Sequence, residues 1–80
     1  MSNSRRLAME LVDKYEQARR VVFTGDKESA VIVVYGKQGY FGLNDYGDGV
    51  DIFYFSNNNN KAEYIGNVIS VDALIREVLK

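Results

Sequence analysis

The stretch YFGLNDYGDGVDIFYFS, residues 40–56, decides the fold because it places two strand-like runs on either side of a short turn signal. YFGLN (40–44) and VDIFYFS (50–56) are rich in the aromatic and β-branched residues that favour strands. DYGDG between them supplies glycines for positive φ and aspartates for local hydrogen bonds. Since so short a connection joins antiparallel strands, the stretch predicts a β-hairpin.

Three more runs of strand-like composition lie outside this hairpin, at intervals of about ten residues: VVFT (21–24), AVIVVY (30–35) and AEYIGNVI (62–69). The links GDKES, GKQG and NNNNK are turn-forming clusters too short to hold a crossover helix. We therefore expect a meander of four or five antiparallel strands. The chain contains no proline, so its edge strands need charge or assembly to protect them.

The N-terminal part of the chain has a helical pattern. In SRRLAMELVDKYEQARR (4–20), apolar residues recur at intervals of three, four and seven, and good helix formers dominate. Asn3 or Ser4 suits the N-cap position. Arg19 and Arg20 would fall in the last turn, where positive charge suits the carbonyl end.

The C-terminal segment SVDALIREVLK (70–80) also predicts a helix, with Ser70 as its N-cap. The fold class is therefore α+β: an antiparallel four- to five-stranded meander sheet flanked by an N-terminal and a C-terminal helix, in the order α-β-β-β-β-(β)-α. Two layers result if both helices share a face, and three if they do not. Because strands 30–35 and 50–56 are apolar on both sides, we expect a sandwiched sheet or a face that meets a partner.

Composition limits the chemistry of the chain. Eighty residues, 1–80, make a single small domain. The absence of cysteine and histidine excludes thiolate nucleophiles, Ser-His-Asp systems and the usual zinc ligands. We therefore expect a protein that is not an enzyme and that needs no cofactor or metal.

The charge distribution argues against nucleic acid and membranes as partners. The net charge is −1, and residues 40–60 hold three aspartates without any lysine or arginine. Neither this segment nor the basic residues near the N-terminus form the dense charged face that duplex binding requires. No apolar run approaches the roughly 20 residues of a membrane span, and no signal-peptide core is present. The expected location is cytoplasmic.

The aspartate-rich segment NDYGDGVD (44–51) resembles a calcium loop in composition. In the best EF-hand register, Tyr46 falls at position 3 and Phe55 at position 12, where oxygen ligands are required. The flanking segments are strands, not helices. We therefore interpret the segment as a hairpin turn, which leaves only weak affinity for a cation.

Aromatic residues are abundant, and we expect two groups of them. Four phenylalanines are expected in the core: Phe23, Phe41, Phe53 and Phe55. Several of five tyrosines on or beside strands could share one sheet face: Tyr35, Tyr40, Tyr46, Tyr54 and Tyr64. Asp51 lies within an aromatic strand, so it is either solvent-exposed or paired with Arg5, Lys37 or Arg76.

The leading hypothesis is a small inhibitor or adaptor, of the phage, mobile-element or immunity-protein type, that docks a larger protein. Acidic loops would meet a basic surface of the partner, and tyrosines would provide contact area. The expected partner-binding residues are Asp45, Tyr46, Asp48, Asp51 and Tyr54. The hypothesis allows for a homodimer as well.

The main alternative is an oligomer that sequesters a nucleotide or another small molecule. Its tyrosines would stack on the ligand while basic residues meet phosphate. The expected ligand-binding residues are Arg19, Arg20, Lys37 and Tyr40. An enzyme that uses carboxylates and a metal is the third option, and its best candidate loop lacks the required ligands.

Two segments together resemble the end of SUKH-type immunity proteins: FGLNDYGDGVDIFYFSNNN (41–59) and SVDALIREVL (70–79). In that family a glycine-rich turn, an aromatic strand and a small terminal helix close the sheet. The resemblance covers less than half of the chain. It implies a protein that works by binding.

Overall fold

The computed structural model describes residues 2–22, 29–58 and 61–79 as a five-stranded antiparallel sheet with two helices. The elements are α1 (Asn3–Lys14), β1 (Ala18–Val22), β2 (Ser29–Val34), β3 (Gly39–Tyr46), β4 (Gly49–Ser56), β5 (Ala62–Val68) and α2 (Val71–Val78). The strand order in the sheet is β1-β2-β3-β4-β5. Each strand therefore pairs with its neighbour in the chain, which confirms the predicted α+β meander.

The β3–β4 hairpin is the longest paired unit of the sheet. Its register runs from Gly39 opposite Ser56 to Tyr46 opposite Gly49, eight pairs in all. The turn consists of two residues, and Gly47 at its first position has φ +60°, as in the type II′ turn that matches strand twist. The interpretation of the aspartate-rich segment as a hairpin turn is confirmed.

Both helices pack on the same face of the sheet. α1 contributes Leu7, Ala8 and Leu11 to the core, and α2 contributes Leu74, Ile75 and Val78. The sheet supplies the other half of this core: Ala18, Ala30, Ile32, Val34, Phe41, Leu43, Val50, Ile52 and Val68. α1 also contacts α2. The domain is therefore a two-layer structure, and the described helices leave the opposite face of the sheet uncovered.

Helix α1 is shorter than its pattern predicts. It begins after the N-cap Ser2, whose hydroxyl accepts a hydrogen bond from the Arg5 amide at 3.2 Å, and it ends at Lys14. The predicted N-cap and the predicted end at residue 20 were therefore wrong. Residues 18–22 instead pair with β2 as strand β1, because ladder pairing outweighs the weak local preference for helix.

The first two residues of the predicted strand VVFT (21–24) pair in the sheet as part of β1. Val21 lies opposite Ile32 and Val22 lies opposite Val31, so this segment pairs within the chain. Phe23 and the rest of its predicted strand lie outside the described residues.

Helix α2 matches its prediction closely. Ser70 is the N-cap and accepts a hydrogen bond from the Ala73 amide at 3.2 Å. Asp72 lies in the first turn, where its charge suits the helix dipole. With 12 and 8 residues, neither of the two described helices is long and apolar enough to cross a bilayer.

Candidate functional site

The uncovered side of the sheet, called the open face below, is built from alternate residues of strands β2–β5 and the ends of the adjoining turns. Its members are Val31, Val33, Tyr40, Gly42, Asn44, Tyr46, Asp51, Phe53, Phe55, Ala62, Tyr64 and Asn67. The exposed fractions of Tyr40, Tyr46 and Tyr64 are 39%, 70% and 57%. Large aromatic side chains are thus presented to solvent together on one surface.

Ring contacts order the centre of the open face. Tyr40 stacks on Phe55 with ring centroids 4.9 Å apart and planes 11° apart. Phe53 and Tyr64 meet at 5.4 Å in a tilted arrangement. The Phe55 ring also lies over Gly42, where an added Cβ would come within 3.1 Å of it. These contacts hold the rings in defined positions, as is typical of a pre-organised binding surface.

Three polar residues form a hydrogen-bonded group at one end of the open face: Asp51, Tyr64 and Asn67. We call this group the Asp51 corner. The Asp51 Oδ1 atom accepts hydrogen bonds from the Tyr64 hydroxyl at 3.2 Å and from Asn67 Nδ2 at 2.9 Å. The pKa of Tyr64 is raised, through desolvation of its hydroxyl and then through the negative charge of Asp51. Tyr64 therefore remains a protonated donor at neutral pH.

Asp45 lies on the helix side of the sheet, where its carboxylate is hydrogen-bonded to the first turn of α1. Its Oδ1 accepts from the Ser4 amide at 2.7 Å and the Ser4 hydroxyl at 2.6 Å, and its Oδ2 accepts from the Asn3 amide at 3.2 Å. Helix α1 has no acidic residue in its first turn. The hairpin thus supplies the negative charge that a helix N-terminus favours, from 41 residues away.

The predicted partner-binding residues do not form one surface. Tyr46 and Asp51 lie on the open face, and Asp48 is exposed at the hairpin turn beside it. Asp45 caps α1, and Tyr54 packs on the helix side with its ring 5.0 Å from that of Phe41. Only three of the five predicted residues can therefore meet one partner at the open face.

The residues of the small-molecule alternative are also separated. Arg19 and Arg20 belong to β1, and their side chains lie outside the described part of the structure. Tyr40 lies on the open face, whereas Lys37 lines a cleft of about 460 Å³ at the helix side. The other residues of the cleft are Phe41, Tyr54, Glu63, Tyr64, Ile65 and Glu77. Two carboxylates against one ammonium group make this cleft a poor site for phosphate.

Several residues of the open face were not assigned to it from the sequence. Phe53 and Phe55 were predicted to be core residues, yet both are half-buried on the open face, and of the three phenylalanines that the structure describes only Phe41 is in the core. The prediction that several tyrosines share one sheet face is confirmed by Tyr40, Tyr46 and Tyr64, whereas Tyr54 lies on the helix side and Tyr35 in the turn after β2. The strict alternation of VDIFYFS around Ile52 contained this information once one core position was known.

The three aspartates of the hairpin lie in different surroundings. Asp45 caps a helix, Asp48 lies at the turn and Asp51 belongs to the open face. Within residues 2–22, 29–58 and 61–79, no group of three acidic side chains is arranged to hold a metal ion. The hairpin therefore presents single carboxylates and not a coordination shell.

Acid should weaken the contribution of Asp45 to stability. Burial raises its pKa, but hydrogen bonds from Ser4 and Asn3 outweigh this effect and hold the pKa below its ordinary value. Such a group stabilises the fold fully above its unfolded pKa, about 3.9, and loses this contribution as the pH falls through the folded-state pKa. Replacing Asp45 by asparagine should cost roughly 1–2 kcal/mol at pH 7 and less at pH 3.

Urea unfolding of the wild type and of Asp45→Asn at both pH values measures this effect. The difference in free energy of unfolding should narrow on acidification. An equal difference at pH 7 and pH 3 would show that the Asp45 charge does not stabilise α1.

Comparisons with known proteins give no indication of the function, so the function is inferred from the open face. No protein-family model, no curated protein and no solved structure matches this chain.

Proposed function

We propose that this chain is a non-enzymatic protein-binding module, of the inhibitor or adaptor type, that docks a larger protein through the open face. The observation that carries the proposal is an uncovered sheet face on which two ring pairs, Tyr40 with Phe55 and Phe53 with Tyr64, are held in contact. Aromatic residues are enriched where binding energy concentrates in protein interfaces. Contiguous exposed apolar surface of this kind commonly marks an interaction site.

The size of the open face suits a protein partner. Four strands of six to eight residues span roughly 19 Å by 24 Å, or about 450 Å² in projection. A standard interface covers about 800 Å² of accessible surface on each partner. The open face and the adjoining hairpin turn therefore supply most of one partner's share.

The charges around the open face indicate the character of the partner surface. Asp48 and Asp51 lie at the same end of the face, and strands β2–β5 contain no lysine or arginine. A partner with an apolar centre and positive charge at one margin would complement this arrangement. The partner is therefore expected to be a protein with a basic surface, as in inhibitors that occupy a nucleic-acid channel.

The chemistry of the open face supports binding over catalysis. Within strands β2–β5 it carries one carboxylate, at Asp51, and that group is held by Tyr64 and Asn67 at an exposed margin. General acid–base catalysis normally uses paired titratable groups with separated pKa values in a cleft. A flat aromatic surface with one carboxylate is better suited to contact with another protein.

The decisive experiment compares a face variant with a helix-side variant. Tyr40→Ser combined with Tyr64→Ser removes two aromatic side chains from the open face, and Met9→Ser removes an exposed apolar side chain from α1. Each tagged protein is used to capture proteins from the lysate of the native host, with identification by mass spectrometry. The captured protein is then purified and titrated by calorimetry.

The proposal expects one partner that binds the wild type and the Met9 variant equally. Its affinity for the face variant should fall by about 30-fold or more, because hot-spot residues each contribute at least 2 kcal/mol. Equal binding to all three proteins would contradict docking at the open face. A second copy as the partner would appear as a dimer that the face variant breaks, and nucleotide stabilisation in a thermal-shift screen would favour the small-molecule alternative.

A further inference from the structure

Asp51 is the single ionised side chain that strands β2–β5 place on the open face. The other acidic residues of these strands are Asp45 and Glu63, and both lie on the helix side. The neighbours of Asp51 on the open face include Tyr64 and Phe53, whose rings contact each other, the amide of Asn67, and Asn44 opposite it on β3. One carboxylate therefore stands at the margin of an aromatic surface that contains no cation within these strands.

Among the described residues, only one of the two carboxylate oxygens of Asp51 accepts hydrogen bonds. Tyr64 and Asn67 both donate to Oδ1, at 3.2 Å and 2.9 Å. Among the described residues, the second oxygen, Oδ2, accepts no hydrogen bond and no cation lies within ion-pair distance of Asp51. The two hydrogen bonds to Oδ1 restrict the orientation of the carboxylate and therefore the direction of Oδ2.

A partner that covers the open face must also cover this carboxylate. Removing an ionised group from water is costly unless an opposite charge with good hydrogen bonds replaces the solvent. An arginine side chain meets the requirement better than lysine, because its planar guanidinium donates in a fixed fork and stacks on aromatic rings. Lysine offers a strongly hydrated point charge without the planar surface.

We propose that the Asp51 corner seats an arginine side chain of the partner, with the guanidinium donating to Asp51 Oδ2 and lying against the Tyr64 ring. This inference rests on the proposed docking at the open face and adds the residue chemistry that the partner must present. The raised pKa of Tyr64, caused by desolvation and by the charge of Asp51, agrees with a negative potential at this corner. Asn67 has the role of a positioning residue that holds the carboxylate.

The corner can be tested without the partner. The ¹⁵N-labelled protein is titrated with N-acetyl-arginine amide, and the backbone amide signals of Asp51, Tyr64 and Asn67 and the side-chain amide signal of Asn67 are followed by NMR. N-acetyl-citrulline amide is the matched probe, because it has nearly the same shape without the charge. N-acetyl-lysine amide separates guanidinium recognition from general attraction of a cation.

The expected result is a set of shifts centred on the corner, with arginine binding at least several-fold more tightly than citrulline or lysine. Asp51→Asn should abolish this preference, while Asp48→Asn, which removes the same charge from the neighbouring turn, should preserve it. Equal shifts with arginine and citrulline, or a preference that survives in Asp51→Asn, would overturn the inference.

Binding to the captured partner separates this inference from the proposed function. Asp51→Asn should weaken the complex by about 30-fold or more, mainly through faster dissociation, as expected when a buried charge pair loses one member. If Tyr40→Ser combined with Tyr64→Ser weakens the complex but Asp51→Asn does not, the docking proposal stands and the proposed arginine contact is refuted. A complex that neither variant weakens refutes both.

Discussion

Replacing Asp45 by alanine is expected to lower the free energy of unfolding by about 3 kcal/mol, because a charged acceptor of three hydrogen bonds is lost. Two of the donors are first-turn amides of α1, and the third is the hydroxyl of the fully buried Ser4. Alanine leaves these donors without their acceptor and takes the negative charge from the helix N-terminus. The melting temperature should fall by roughly 15 °C for a domain of this size.

Asp48→Ala is the matched control for this prediction. It removes the same residue type from the same hairpin, but the Asp48 side chain is exposed and only its backbone carbonyl meets α1, through Asn3 Nδ2 at 3.5 Å. Its effect should remain within about 0.5 kcal/mol. Thermal and urea unfolding measure both variants, and similar losses for the two would show that the α1 cap contributes little.

The second large effect is expected at Gly39, where β3 begins. An added Cβ would collide with the Phe55 carbonyl oxygen, which is backbone, and would lie 2.7 Å from the Tyr54 hydroxyl. Backbone cannot move aside without disturbing the β3–β4 ladder, in which Gly39 pairs with Ser56. Gly39→Ala should therefore destabilise the domain by about 3 kcal/mol, the upper range for overpacking.

Gly42→Ala tests whether Gly39→Ala loses stability through the collision with the Phe55 backbone and not through the replacement of a glycine as such. Gly42 lies on the same strand, and its added Cβ would meet the edge of the Phe55 ring at 3.1 Å. An aromatic side chain at the open face can shift by a few tenths of an ångström, so the cost should be below about 1 kcal/mol. Urea unfolding of both variants decides the matter, and a smaller loss at Gly39 than at Gly42 would contradict the prediction.

The sheet and α2 could be predicted from the sequence because their signals are local. Strand composition, short turn-forming links and the N-cap Ser70 each act within a few residues. The end of α1 could not be predicted in this way. Its helical pattern continues to Ala18, but pairing with β2 takes the chain from residue 18 into the sheet. That pairing depends on residues up to Val34, beyond the reach of any local pattern.

The candidate site could be predicted only in part for a related reason. The abundance of tyrosine indicated an aromatic surface, but the face on which each ring lies depends on which side both helices cover. Once α1 and α2 share one side, alternation sends Phe53 and Phe55 outward and Tyr54 inward. The role of Asp45 depends on a contact with Ser4 across 41 residues, which no spacing rule indicates.

The bond between Asp45 and the first turn of α1 also provides an internal reporter. The amide hydrogens of Asn3 and Ser4 are held by a carboxylate of the β3–β4 hairpin, so their exchange with solvent depends on the hairpin being in place. They lie on the helix side, away from the open face. Hydrogen exchange at these two amides therefore distinguishes a partner that docks on a rigid hairpin, which leaves their exchange rates unchanged, from one that rearranges it, which accelerates them.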